Sequence, residues 1–382
     1  MVPDFVRDLP PVRHQSRSGK VLIVVQLSGG NDGLNTVVPY ADDAYLRNRP
    51  GLKIGPKSVL PLTDAVGLHP ALANLRELYN RGDMLVVNSV GYPNPTRSHF
   101  RSMDIWQTAS KADQYLQTGW LGRYLDSNCH GCSQAYHAVE IGDNLGLALQ
   151  GNKRDGFAMR DGDQLRRLTN NQFLNALGTT KGNSRAQDPT LDYLYKTMIE
   201  VQESADYLIE KSKVYTSVQS YPVHPFGRGM KQIAELISAD TDTKVYYISL
   251  PGFDTHANQF ARHEKLLRTY SRSIAALVAD LEFNNLFDDT MIMTFSEFGR
   301  RVEENGSRGT DHGTANNVLL LSGAFKNPGL YNEMPDLTKL VNGDIVYQID
   351  FRSIYSTLLK EWLDVPSKDI LLGEFDPLDG VL

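Results

Sequence analysis

The chain has 382 residues, 41% hydrophobic and 22% charged, which supports a large folded core and excludes global disorder. Lys and Arg number 39 against 45 Asp and Glu, a net charge of −6 that excludes the basic stripe of a nucleic-acid binder. No apolar run reaches the ~18–20 residues of a membrane span, so an integral membrane segment is excluded as well.

Residues 1–20 read as a polar N-terminal segment, and 21–382 as a single α/β domain. The apolar run that opens that domain is too short for a signal-peptide core. Val21–Leu27, rich in β-branched residues, is predicted as a buried parallel strand, and the glycine-rich turn Ser28-Gly29-Gly30-Asn31-Asp32-Gly33 comes after it. A helix is predicted over His69–Arg81, a second buried strand over Met84–Val90, and a helix over Ser98–Ser110 with Ser98 as N-cap. Cys129 and Cys132 form a CxxC that reads as a redox pair, half of a zinc site, a local disulfide or two incidental thiols. No second CxxC is present, so the chain cannot build a four-cysteine zinc site.

From about 151 to 240 there is little strand signal. Asp188-Pro189 starts a helix, and Leu191, Leu194, Met198, Val201, Ala205 and Leu208 recur at helical spacing. This stretch is predicted as a helical insertion beside the sheet, one wall of a substrate cleft. Two further strands are predicted at Lys244–Leu250 and Thr290–Ser296, separated by a long helix over about 258–284 whose apolar positions keep a 3.6 period. Asn317–Ser322 is a fifth strand and Phe351–Leu363 a closing helix. The rhythm predicts a three-layer α/β/α sandwich around a mainly parallel sheet.

Ligands in such folds bind at the carboxyl ends of the strands. The first strand delivers Asn31 and Asp32, and the second leads into Arg97, Ser98, His99 and Arg101. The third delivers Asp254 and His256 and the fourth Glu297, while Asp311 and His312 precede the fifth. Each residue has a structural alternative. Asp32 can be a turn former, Ser98 a cap, Glu297 a partner of Arg300 or Arg301, and the rest solvated loop residues. Oxygen and nitrogen donors without cysteine suit zinc, manganese, magnesium or calcium. Ser98 at a helix start beside arginines is placed to meet an anion.

The stretches Leu27-Ser28-Gly29-Gly30-Asn31-Asp32-Gly33, Gly67-Leu68-His69-Pro70, Ser98-His99-Phe100, Asp254-Thr255-His256, Ser296-Glu297-Phe298-Gly299-Arg300 and Asp311-His312-Gly313 resemble domain-of-unknown-function family 1501. That family is placed in the alkaline phosphatase and sulfatase superfamily, and the resemblance spans about residues 20–380. It implies the alkaline-phosphatase-like fold, a divalent metal and a periplasmic or secreted location. By the resemblance Asp32 is a metal ligand, Ser98 the nucleophile, Asp254 a ligand of a second metal and His312 the final histidine ligand. Glu297 stands where an aspartate is usual, Phe298 where a histidine is usual, and His256 two rather than four residues beyond Asp254. One metal, a different metal or a lapsed site all remain open.

The implied activity is metal-dependent hydrolysis of phosphate or sulfate esters, small-molecule or glycan. Ser98 attacks, Asp32, Asp254, His256, Glu297 and His312 hold metal, and Asn31, Arg97, His99, Arg101 and Asp311 meet substrate. The alternatives are a lapsed metal- or glycan-binding protein on the same fold, and carbohydrate chemistry with a metal only positioning the glycan.

Overall fold

Alternation in the first strand sorts the core. Val21, Ile23, Val25 and Leu27 face one apolar cluster, while Leu22 and Val24 face another. A strand buried on both faces in this way needs a helical layer on each side. The computed structural model describes residues 19–127, 134–169 and 189–382. Cys129 and Cys132 lie outside the described residues.

The main sheet has nine strands: β1 (Val21–Ser28), β2 (Met84–Gly91), β3 (Ala138–Ile141), β4 (Phe157–Met159), β5 (Val245–Pro251), β6 (Thr290–Phe295), β7 (Asn316–Leu321), and the two-residue β8 (Gly329–Leu330) and β9 (Ile349–Asp350). Their order is β8-β2-β7-β6-β1-β5-β3-β4, with β9 pairing β2. On central β1, Val24 is in register with Tyr247 of β5 and Met293 of β6, both parallel. Only β7 runs antiparallel to its neighbours, β2 and β6.

Helices cover both faces. One layer contains α1 (Ala73–Arg81), and the opposite layer contains α2 (His99–Thr108) and α3 (Trp120–Ser127). Next come α4 (Gly162–Thr169) and α5 (Pro189–Ser212), then α6 (Pro225–Ser238) and α7 (Gln259–Phe283) on the face of α1, and α8 (Phe351–Thr357) on the face of α2. In the second layer Trp106 stacks on Phe295 and Phe351 at centroid distances of 4.8 and 4.4 Å, pairs worth about 0.5–1.5 kcal/mol each beyond their area. The predicted three-layer α/β/α fold is the observed one.

Two details differ from expectation. Strands β3 and β4 carry only four and three residues, too few to show a period of two over a window. The second of them lies inside the stretch expected as a helical insertion. That stretch also supplies Phe157, Met159, Leu165, Phe226, Met230 and Ile233 to the cluster that packs on β1, so it builds part of the helical layer. Among the described residues no helix is long and apolar enough to cross a membrane.

Candidate metal centre

Four strands and one hairpin converge on one edge. Strands β1, β2, β5 and β6 all end there, and β7, being antiparallel, begins there, with Asn316 opposite Val90 near the end of β2. The reversed strand is what brings His312 to the edge; a parallel β7 would have carried it to the far side. The connection from β6 folds back on itself, with Gly313 N donating to Gly299 O at 2.9 Å and Arg301 N to Asp311 O at 3.0 Å. His312 thereby lies opposite Arg300.

The turn after β1 is shaped by close approach. Gly29 has φ +118°, and a Cβ there would lie 2.4 Å from the Asp254 backbone nitrogen. At Gly30, φ +72°, a Cβ would meet the Phe298 ring at 2.3 Å. Phe298, where the resemblance expects a histidine, is buried beneath the site. Its ring packs against His99 and His312, both at 4.8 Å between centroids.

Three histidines meet one aspartate over this floor. His99, Asp254 and His312 offer ligand atoms that all lie within 4.8 Å of one another. His256 joins them, its Nε2 lying 2.9 Å from His312 Nε2 and 3.1 Å from Asp254 Oδ1. His312 Nε2 is 3.2 Å from the same oxygen, and His99 Nε2 is 3.6 Å from Asp254 Oδ2.

The far nitrogen of each ring is anchored. His99 Nδ1 lies 2.8 Å from Glu297 Oε1, His256 Nδ1 3.2 Å from Asp311 Oδ1, and His312 Nδ1 2.9 Å from the Arg97 carbonyl. Carboxylate and carbonyl oxygens only accept, so each Nδ1 carries a hydrogen, and in the neutral form each ring turns an Nε2 lone pair inward. Two such lone pairs 2.9 Å apart repel unless a proton or a metal ion lies between them. Among the described residues His99 Nε2 is buried without a hydrogen-bond partner. The donor set, three imidazoles and a carboxylate with each imidazole oriented from behind, fits a divalent metal. Asp254 and His256 are half exposed, which leaves an open side.

Electrostatics are set by these contacts. Burial opposes ionisation of Asp254, but the Arg300 guanidinium at 2.8 Å and the His312 ring pull it down to about 2. Burial lowers the pKa of His312, whereas the hydrogen bond to Glu297 raises that of His99. Arg300 is fully buried, and donates also to the carbonyls of Gly29, Gly30, Phe253 and Thr310. It ties three strand ends together, and its signal in the sequence was its place in the motif that carries Glu297.

Two of the expected ligands, Asp32 and Glu297, are engaged by protein groups. Asp32 Oδ2 pairs with Arg49 Nη1 at 2.6 Å, both side chains fully buried, and also accepts from Gln259. Burial raises the Asp32 carboxyl, but Arg49 overrides it and the net shift is downward. The Arg49 guanidinium balances its charge through Oδ2, while Asp32 Oδ1 is buried with no hydrogen-bond partner among the described residues. Glu297 accepts from Gly29 N and from His99, so it orients the His99 ring. Asn31 is internal, bonded to Thr36, His263 and Ser296.

Ser98 is exposed and turns its hydroxyl onto its own helix, accepting from Arg101 N at 3.5 Å. The geometry is that of a helix cap. Arg97 pairs with Asp344, and Arg101 spends its guanidinium on the carbonyls of Lys111, Ala112 and Gln114, so neither is an uncommitted anion receptor. His99, expected beside substrate, is instead a member of the cluster, and Asp311 orients His256.

The structure is similar to the zinc complex of the C-terminal periplasmic domain of EcEptC from Escherichia coli, at 12% identity over 80% of this chain and 74% of that one, TM-score 0.39. It is also similar to the PsFucS1 sulfatase from Pseudoalteromonas sp., at 12% over 94% and 71%, TM-score 0.40. A third similar structure is a protein in the alkaline phosphatase superfamily from Vibrio parahaemolyticus, at 11% over 80% and 60%, TM-score 0.33. No curated protein matches the chain in sequence. Residues 83–362 match the family described as "Protein of unknown function (DUF1501)", and the chain belongs to that family.

Proposed function

We propose that this protein is a divalent-metal-dependent hydrolase of phosphate or sulfate esters that acts outside the cytoplasm. One observation carries the reading: the Nε2 atoms of His256 and His312 face each other at 2.9 Å while both Nδ1 atoms are held by acceptors. His99, Asp254, His256 and His312 would hold the metal. A divalent cation there supplies Lewis-acid stabilisation of charge developing on the ester oxygens. Glu297, Asp311 and the Arg97 carbonyl hold the three rings in the tautomer that can ligate, and Arg300 keeps the Asp254 carboxylate ionised and fixed. The export and ester specificity rest on the family resemblance in the sequence motifs.

Ser98 has no part in this reading, because its hydroxyl caps a helix. A second reading, a metal-holding protein without turnover, is favoured by the Asp32–Arg49 pair, which engages the carboxylate expected at the first metal. Assay of manganese- and zinc-loaded protein on p-nitrophenyl phosphate, a phosphodiester and p-nitrophenyl sulfate separates the two. Turnover that disappears in His312→Ala and survives in Ser98→Ala is expected of the hydrolase. Stoichiometric metal with no turnover on any of the three would favour the second reading.

A further inference from the structure

A cavity of about 670 Å³ adjoins the histidine cluster, a volume within the usual range for small-molecule sites. Two residues belong to both. Arg97 lines the cavity and gives its carbonyl to His312 Nδ1, and Phe298 lines it from beneath the His99 and His312 rings. Tyr92, Tyr347, Ile345 and Val346 form apolar walls.

The wall carries one charged pair. Arg97 Nε donates to Asp344 Oδ2 at 2.9 Å, and Nη2 donates to the same oxygen. Asp344 is buried, its Oδ1 has no hydrogen-bond partner among the described residues, and the nearest other cation, Arg301 Nε, stands 3.7 Å away. A buried carboxylate oxygen without a donor is costly, and a hydroxyl would satisfy it. The Arg97 side chain is 38% exposed. Because the pair cancels its own charge, a free anion gains little there. Neighbouring hydroxyls on one ring gain twice, donating to the carboxylate and accepting from the guanidinium. The C–H face of such a ring suits the tyrosine and aliphatic walls.

We propose that this cavity binds a neutral, hydroxyl-bearing ring, a glycosyl unit, and so holds the body of a substrate whose ester group reaches the histidine cluster. The assignment of the ester end rests on the hydrolase reading; saccharide binding does not. The test is saturation-transfer NMR of the full chain with the methyl glycosides of glucose, galactose, fucose and N-acetylglucosamine, and with phenol as an aryl control. At least one glycoside should bind saturably and more tightly than phenol. Val346→Trp, a substitution at an exposed position on the cavity wall, should abolish that binding, and Asp344→Ala should weaken it about tenfold. His256→Ala should leave it unchanged, so loss of metal chemistry and loss of the cavity are read separately. No binding by any glycoside to folded wild-type protein, binding that survives Val346→Trp, or phenol binding as tightly as every glycoside would overturn the proposal.

Discussion

Glu297 and His99 are 198 residues apart, yet Glu297 Oε1 accepts from His99 Nδ1 at 2.8 Å. The carboxylate lies just past the end of β6 and the imidazole opens α2, so the contact exists only because β2 and β6 end at the same sheet edge. The fully buried Glu297 thereby fixes which nitrogen of His99 is free.

That relationship is testable by charge removal at constant shape. Glu297→Gln retains an acceptor for both Gly29 N and His99 Nδ1 but no longer offers a charge. Metal affinity should fall about 10–100-fold, the usual cost of losing a partner behind a ligand, with the melting temperature close to wild type. Isothermal titration with zinc and a thermal melt check the two halves. An unchanged affinity would mean that His99 is not a ligand.

Ser98→Ala should behave as the loss of a cap. Replacing a capping hydroxyl costs about 0.5–2 kcal/mol, and the 3.5 Å contact places this one at the low end. Urea denaturation should register that loss while turnover stays at the wild-type level. Abolished turnover with unchanged stability would restore the serine as nucleophile.

The Asp32–Arg49 pair predicts a large asymmetry. Arg49→Met leaves a buried carboxylate without its cation and should destabilise the fold by about 3–5 kcal/mol. Combining it with Asp32→Asn removes the stranded charge and should recover much of that loss, measured by urea denaturation as a double-mutant cycle. Additive effects would show that the two side chains do not depend on each other.

Stability should also fall on acidification for a reason unrelated to metal. Burial lowers His263 to about 3 and His69 to about 4, and the two rings meet edge-on at 5.8 Å. The unfolded chain takes up protons near pH 6.5, whereas the folded chain resists until pH 3–4. The stabilisation is therefore complete above about pH 6.5 and is lost going down, by about 1.4 kcal/mol per pH unit per histidine. Denaturation of His263→Gln between about pH 7 and 4.5 should show a shallower pH slope than wild type. An identical slope would contradict the assignment.

The legibility of this molecule divides along physical lines. Strands β1, β2, β5 and β6 announce themselves as apolar runs, and α7 as a long 3.6-residue period, because burial on both faces or one stripe leaves a pattern in sequence. Strands β3 and β4 are too short to leave one. Asp254 and His256 are legible as edge residues because they follow an apolar strand of a mainly parallel sheet; His312 precedes its strand and reaches the same edge only because β7 runs antiparallel. The pairing of Asp32 with Arg49 was not legible, because Arg49 lies 17 residues away just past a six-residue helix, too short to leave a periodic signal. Ser98 stood at a helix start, where cap and nucleophile share a position and differ only in where the hydroxyl points. The antiparallel sense of β7 was equally hidden, since its apolar run reads alike in either direction.

In the proposed site the Nε2 atoms of His99, His256 and His312 and the carboxylate of Asp254 hold one divalent cation. Its most direct test is elemental analysis and zinc titration of the intact protein beside His256→Ala and His312→Ala, with folding of all three checked by circular dichroism. One metal per wild-type chain and a sharp loss of affinity in both variants are expected. A folded wild-type protein that takes up no zinc or manganese, its facing histidines sharing only a proton, would contradict the proposed site.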